Sequence, residues 1–517
     1  MKAFSGLNRR QKTAWLIAGA AVLLALCAGA LMLARGGRVV LNNGYVGGAA
    51  EPETAVPLAP IGDSRAERTR SVVVYYAADG YTRLVPAVRQ VTVSSEASVY
   101  EAVASEALAT PPEEGLLALG ASDIQLLSVE VSCGVATVDL SIDARRLDAQ
   151  RLHMLRAALV NSLMELGGVR GVNVLIDGRE ECIVRLPAGT MTRFDNDLGE
   201  VWQQELAEES RAGDDKGEAL ERNVTLYFGS ADGKYLLPEM RGVTIEGDDY
   251  LQAIVDQLFA GPTDTEACRR VLPSSCEYLR ERPEIVTSDD GSKVAVISFA
   301  GAASEYFARN GISTALAMGS LTRSICGFVP EVEGLLCDID GIVISELTDD
   351  EGRVSYTFDD GVMRSSDFDS LVGDMTTLYY PEAGGAGLVA LETVMSRYDA
   401  DNPRALLIRL MEQPDKQGAA SAWPEGVTDA DVLGVRVEQD QVLINLSGAF
   451  YRACEGMTAQ EARLLTYSIV NTMCSLQGIK SVRLYFDGER VDCLSGAISL
   501  RGPLLFSPGL LRGGAQP

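Results

Sequence analysis

A repeat constrains this chain more than any other feature. Tyr75-Tyr76-Ala77-Ala78-Asp79-Gly80, followed by Leu84-Val85-Pro86, recurs as Tyr227-Phe228-Gly229-Ser230-Ala231-Asp232-Gly233, followed by Leu236-Leu237-Pro238. The offset is 152 residues for both Tyr76/Phe228 and Pro86/Pro238, and another 152 residues on lies Tyr379-Tyr380-Pro381-Glu382-Ala383-Gly384-Gly385. A second landmark closes each copy. Copy one reads Val160-Asn161, Gly168-Val169-Arg170-Gly171-Val172 and Asp177-Gly178. Copy three repeats those spacings as Val470-Asn471, Gly478-Ile479-Lys480-Ser481-Val482 and Asp487-Gly488. Copy two is looser, with Val332-Glu333-Gly334 before Asp340-Gly341. A module present three times points to binding or assembly, because catalysis rarely needs the same unit three times.

The copies share one pattern of periodicity. Val72 to Tyr76 is short and β-rich, and the Ala78-Asp79-Gly80 turn leads into a second extended piece from Leu84 to Val93, so the front of the module reads as a hairpin. Ser98, with Glu101 in the capping-box position, opens a helix to about Leu108. Asp248 to Phe259 and Arg404 to Glu412 occupy that place in the other copies, and Tyr250, Leu251, Ile254, Val255 and Leu258 give one apolar face. Strands follow at Leu126–Ser132 and Ala136–Ser141, with Lys293–Phe299 and Gln441–Leu446 as partners. A longer helix comes next, over Asp148–Leu166, Ser313–Phe328 and Thr458–Leu476, and a last strand ends in Asp-Gly. The expected fold class is α+β, with three tandem small two-layer domains, each placing two helices on one face of a small mixed sheet.

The domain boundaries follow: a cytoplasmic N-terminus over 1–13, a transmembrane anchor over 14–34, a flexible tether over 35–70, and domain 1 over 71–190. Domain 2 spans 222–347 and domain 3 spans 375–501, with acidic linkers at 191–221 and 348–374 and a Gly- and Pro-rich tail at 502–517. The anchor rests on an uncharged run of 21 residues from Ala14 to Ala34. As a helix it would be about 30 Å long, enough to cross a bilayer. Lys2, Arg9, Arg10 and Lys12 precede it against Arg35 and Arg38 after it, so the N-terminus faces the cytoplasm and the bulk of the chain lies outside the cytoplasmic membrane. An uncleaved anchor is the reading adopted; cleavage near Ala28-Gly29-Ala30 and lipidation of Cys27, preceded unusually by Leu26, are its alternatives.

The net charge is −27, and residues 1–70 carry nine Lys and Arg against four Asp and Glu, so the remainder stands at −32. Such a surface repels phosphate backbones, which argues against nucleic-acid binding. It serves solubility, or it recruits a basic partner.

The aromatic-pair strand (Tyr75-Tyr76, Tyr227-Phe228, Tyr379-Tyr380), the Leu84–Pro86 arm, and the closes at Asp177-Gly178, Asp340-Gly341 and Asp487-Gly488 resemble the GerMN-domain family of spore-germination and envelope lipoproteins, over nearly all of 71–500. The resemblance implies an extracytoplasmic, non-enzymatic protein of endospore formers, made of modules similar to ring-building domains that pack side by side. It supplies no catalytic residue.

The residues themselves supply none either. His153 is the one histidine, on the long helix of copy one, and it has no equivalent in the other copies, which argues against a histidine-dependent triad there. No G-x-S-x-G, P-loop or H-E-x-x-H occurs. The cysteines Cys133, Cys182, Cys268, Cys276, Cys326, Cys337, Cys454, Cys474 and Cys493 include no C-x-x-C, so no zinc site is expected. Cys326 and Cys474 read as core-helix thiols, and Cys268/Cys276 are close enough to form a disulfide outside the cytoplasm. Asp338-Ile339-Asp340-Gly341 lacks the remaining ligands of a calcium loop, and Gly384-Gly385-Ala386-Gly387 is a hairpin turn rather than a phosphate cradle. Asp177, Asp340 and Asp487 are turn residues with no second carboxylate placed against them. The expected site therefore has no catalytic, cofactor or metal residues, and the expected partners are proteins or further copies of the chain. An envelope module binding a glycan, peptide or lipid is the alternative.

Overall fold

The structure is a computed structural model, and it describes residues 64–65, 67–93, 98–119, 123–183, 186–199, 202–203, 219–247, 249–288, 291–348, 355–385, 387–414 and 418–512. The expected anchor at 14–34, Cys27 and the tether up to 63 lie outside the described residues. Among the described residues, no helix is long and apolar enough to cross a membrane.

Three lobes follow one another along the chain, each around its own apolar cluster. After the two-residue strand β1 (Ser64–Arg65), the first lobe comprises the hairpin β2 (Arg68–Ala78) and β3 (Arg83–Val93), helix α1 (Val99–Leu108), strands β4 (Leu126–Ser132) and β5 (Val135–Leu140), helix α2 (Ala149–Met164) and strand β6 (Gly171–Ile176). The second lobe comprises β7 (Leu220–Ser230), β8 (Leu236–Ile245), α3 (Tyr250–Ala260), β9 (Glu284–Thr287), β10 (Lys293–Phe299), α4 (Ala302–Asn310), α5 (Thr314–Cys326), β11 (Val332–Ile339) and β12 (Val362–Met363). The third comprises β13 (Gly373–Pro381), β14 (Leu388–Ser396), α6 (Pro403–Met411), β15 (Val432–Glu438), β16 (Gln441–Leu446), α7 (Gly448–Cys454), α8 (Ala459–Cys474), β17 (Ser481–Phe486) and β18 (Leu504–Leu505).

The hairpin registers are equivalent, with Tyr75 opposite Pro86, Tyr227 opposite Pro238 and Tyr379 opposite Ala390. In each lobe the strand after the hairpin helix pairs antiparallel with the next, which pairs parallel with the last: β4-β5-β6, β9-β10-β11 and β15-β16-β17. A parallel pair needs a crossover, and the long helix supplies it.

Here the structure corrects the expected two layers. The hairpin is a sheet of its own, separate from the mixed sheet, and the long helix touches both, α2 meeting β2 on one side and β6 on the other. The cause is in the helix. Every residue from Leu152 to Leu163 is buried, so one sheet face could not cover it.

That arrangement creates a local problem with a repeated solution. The hairpin's inner strand turns a backbone N–H toward the helix, where no strand can pair with it. A helix hydroxyl accepts it: Tyr75 N–H donates to Ser162 Oγ at 2.9 Å, Tyr227 N–H to Ser324 Oγ at 2.9 Å and Tyr379 N–H to Thr472 Oγ1 at 3.0 Å. One turn earlier, Ser320 and Ser468 donate to the carbonyls of Tyr227 and Tyr379. Ser162→Ala, Ser324→Ala and Thr472→Ala are each expected to cost about 1–3 kcal/mol, the penalty of an orphaned buried donor. Urea unfolding checks this, and Ser162→Thr and Ser324→Thr should cost less.

The capping signals hold at residue level. Ser98 and Glu101 form the reciprocal capping box on α1, as do Thr458 and Glu461 on α8, and Asp148 accepts from Arg151 N–H at 2.9 Å.

Three stretches expected as connectors are packed instead. Residues 64–65 and 68–70 of the expected tether lie in β1 and β2, and β1 pairs parallel with β15, Ser64 opposite Arg436. In the acidic linker 348–374, Tyr356, Phe358 and Phe368 are buried in the second core and β12 pairs with β11. These aromatics anchor a segment whose charge alone suggests solvent. In the linker 191–221, Met191 pairs with Val172, and Leu198 is buried in the first core. The described part of the tail, up to residue 512, is packed likewise. Leu504 pairs with Val482, Phe506 meets Tyr379 edge-on at 5.6 Å and Leu511 bridges to Leu388.

Candidate assembly junction

The sequence-selected residues resolve into structural roles. The three closing aspartates sit in the left-handed region, with φ of 54° at Asp177, 52° at Asp340 and 49° at Asp487. Asp340 Oδ1 accepts the Gly301 N–H at 2.8 Å and Asp487 Oδ1 the Gly448 N–H at 2.9 Å, each tying the turn to the start of the helix beside it. A Cβ on Gly301 would lie 2.2 Å from Asp340 Oδ2, so a larger residue there would push that carboxylate aside. Asp177 pairs instead with Arg179 at 2.8 Å. Asp338 accepts from Gly341 N–H and Ser298 Oγ, an Asx turn closed on itself. Among the described residues no group of three His, Cys, Asp or Glu is placed to hold a metal.

His153 is 4% exposed, 5.5 Å edge-on from Phe194 and 5.7 Å from Trp202. Burial, helped by the nearby Arg156 charge, lowers its pKa to about 4. A folded pKa below the usual value means that the stability tied to this group is complete above about pH 6.5. It is lost as pH falls through 4. The full loss is about 3 kcal/mol. His153→Phe should therefore gain stability relative to the parent as pH falls from 6.5 to 4.0, measured by urea unfolding at both.

All nine described cysteines are free thiols, so the Cys268/Cys276 disulfide is not formed. Cys268 is buried in the second core, whereas Cys276 is exposed, its Sγ 3.6 Å from Asp256. Burial raises the thiol pKa of Cys133, Cys326 and Cys454 to about 12, which leaves them unreactive.

The concentration of chemistry that sequence reasoning did not find lies where the lobes meet. The first and second lobes join through Thr190 Oγ1 and Thr225 Oγ1 at 2.7 Å, the Arg179–Glu333 ion pair, and the Arg222 guanidinium on the Pro187 carbonyl. The first and third join through Ser132 Oγ on the Gly373 carbonyl at 2.6 Å, Cys133 N–H on Asp374 Oδ1 at 2.6 Å, and Gln477 on the Leu166 carbonyl. The second and third meet where Val394 packs against the second core and at Gly373, where a Cβ would come within 2.7 Å of the Tyr235 Cβ.

A charge cluster spans all three. Arg323 of α5 reaches Glu130 of β4 at 2.8 Å and Asp369 at 2.6 Å, and its guanidinium lies 5.0 Å over the Tyr227 ring. Arg397, at the end of β14, pairs with the same Glu130 oxygen and lies 3.3 Å from Asp369. The arginine side chains are only 6% and 9% exposed. Burial opposes Glu130's charge, yet Arg323 and Arg397 outweigh it and hold its pKa below the usual range. Asp369 goes the other way, raised by burial and by Glu130. No signal in the chain marks these four residues as partners, because each lies in a different copy or connector.

A cleft of 520 Å³ opens between the second and third lobes, lined by Asp232, Tyr235, Tyr380, Glu392, Asp399 and Arg409 among others.

The family described as Germane, sporulation and spore germination, matches residues 73–182 and 377–492. No curated protein matches the chain. Similar solved structures include the tandem GerMN domains of the sporulation protein GerM from Bacillus subtilis, at 17% identity over 58% of this chain and all of that one, with a TM-score of 0.22. A putative lipoprotein from Clostridium perfringens is 20% identical over 26% of this chain and 87% of its own, with a TM-score of 0.19. The first GerMN domain of GerM is 16% identical over 25% and 96%, with a TM-score of 0.22.

Proposed function

We propose, from the premise that residues 73–182 and 377–492 are Germane modules, that this chain is an envelope protein of sporulation or spore germination that acts by protein–protein assembly. The Germane match carries the reading. The middle lobe is read as a third copy of the same module, because Ser324 receives the Tyr227 N–H as Ser162 and Thr472 receive those of Tyr75 and Tyr379. Residues 14–34 serve as a single-pass anchor, and the three modules stand outside the cytoplasmic membrane. The chain works as a non-enzymatic scaffold, with protein partners or further copies of itself, in the manner of ring-building modules.

A second reading, an envelope module that binds a glycan, peptide or lipid, draws on the cleft between the second and third lobes, whose volume falls in the usual range for small ligands. Affinity purification of the tagged, cross-linked protein from sporulating and vegetative cells separates the two. Recovery of proteins of the mother cell–forespore boundary from sporulating cells alone is expected. Recovery with general envelope components from vegetative cells would move the weight to ligand binding.

A further inference from the structure

The first and second lobes together present Glu130, Asp369 and Arg323 at the junction, two carboxylates against one guanidinium. The set therefore carries one negative charge in excess. Arg397 arrives from the third lobe, pairs with both carboxylates and brings the cluster to neutrality. Its side chain is fixed on the way, donating to Tyr398 Oη at 2.6 Å, while its own N–H donates to the Val372 carbonyl at 3.0 Å. Beside it, the strand entry Gly373–Asp374 touches the other two lobes at once, through Ser132 and Cys133 of the first and Tyr235 of the second.

We infer that the first two lobes form a composite docking surface with a hole for one cation, and that the guanidinium of Arg397 fills it to close the three lobes into one body. The surface exists only when the first two lobes are joined, since neither carries both carboxylates. The third lobe is the partner it fits, and closure is conditional on charge balance. A buried charge left without its partner is expensive, whereas removing both members of a pair costs far less. That asymmetry separates an electrostatic latch from simple packing.

Hydrogen exchange of the full-length chain, followed by mass spectrometry, tests it. The Cys133 amide, held by Asp374 of the third lobe, reports closure, and the α2 and α8 amides report the lobes themselves. Arg397→Gln should speed Cys133 exchange at least about tenfold, a change of roughly 1.4 kcal/mol, with α2 and α8 unchanged. Arg397→Lys should fall between, because a point charge cannot serve both carboxylates as a fork does. Glu130→Gln combined with Arg397→Gln leaves Asp369 against Arg323 and should restore most of the protection. Unchanged Cys133 exchange in Arg397→Gln would overturn the latch. So would a double variant no better than the single, which would place closure in packing. A concentration-dependent dimer of the parent, dissociating with loss of Cys133 protection, would overturn the assignment of the third lobe to its own chain. None of these outcomes depends on which cellular partner the chain has.

Discussion

At pH 8, Glu180→Ala is expected to cost the first lobe about 3–5 kcal/mol, more than Arg156→Met at the same pH. Both side chains are fully buried, with Arg156 Nη2 3.5 Å from Glu180 Oε1. Arg156 also donates to the Glu181 carbonyl at 2.6 Å, and Glu180 accepts from Ala188 N–H at 3.0 Å. The two losses differ because the partners escape differently. A glutamate stranded by Arg156→Met can take up a proton, whereas a guanidinium stranded by Glu180→Ala keeps its charge. Arg156→Met with Glu180→Leu should recover most of the stability, since an apolar pair of similar size needs no partner. Amide exchange along α2 reads all three variants.

The same pair has a pH signature. Burial pushes Glu180 up to about 7, further than Arg156 pulls it down. A raised folded pKa means that the associated stability is complete below about pH 4.5 and is lost as pH rises through 7. Glu180→Gln should flatten that fall. The window overlaps that of His153 with opposite sign, so the unmodified protein should show a weaker net dependence than either variant.

Phe228→Ala should destabilise the second lobe by about 3–5 kcal/mol. The ring is 1% exposed in the second core and carries the Arg241 guanidinium 5.3 Å above it. Arg241 in turn donates to the Gly261 carbonyl at 2.9 Å, so losing the ring also loosens the hairpin's hold on the end of α3. Tyr76→Phe in the first lobe is the contrast. It keeps the ring and removes only the hydroxyl, which donates to Glu106 at 2.8 Å and accepts from Arg89 Nε at 3.0 Å, for about 1–2 kcal/mol. Chemical denaturation of the two variants, side by side, checks the ratio.

The difference between these sites and the latch shows what the chain makes legible. The repeated aromatic pair, the capping boxes at Ser98 and Thr458 and the Asp-Gly closes are local, and each appears in the structure where its residues predict. The helix hydroxyls that receive the hairpin N–H groups are half legible. Ser162, Ser324 and Thr472 sit on the apolar long helices, but nothing in a helical period says that a strand N–H needs them. Helix α4 was missed because Ala302–Asn310 buries only Ala303 and Phe307. The packed connectors were hidden by their composition, where three aromatics among aspartates outweigh the charge. The junction was least visible, since Glu130, Arg323, Asp369 and Arg397 meet only after the lobes have folded and docked.

The pairing of β1 with β15 has a mechanical consequence. The described chain enters the folded body on an edge of the third lobe, and its last described segment also leaves from that lobe, beside Leu388. Tension arriving along the chain from before Ser64 meets a ladder of two residues, Ser64–Arg436 and Arg65–Val437, before it reaches any core. Such a ladder is a fuse. It can unzip and re-form under load, lengthening the lead to the first lobe by a few residues while the three cores and their closure stay unstrained.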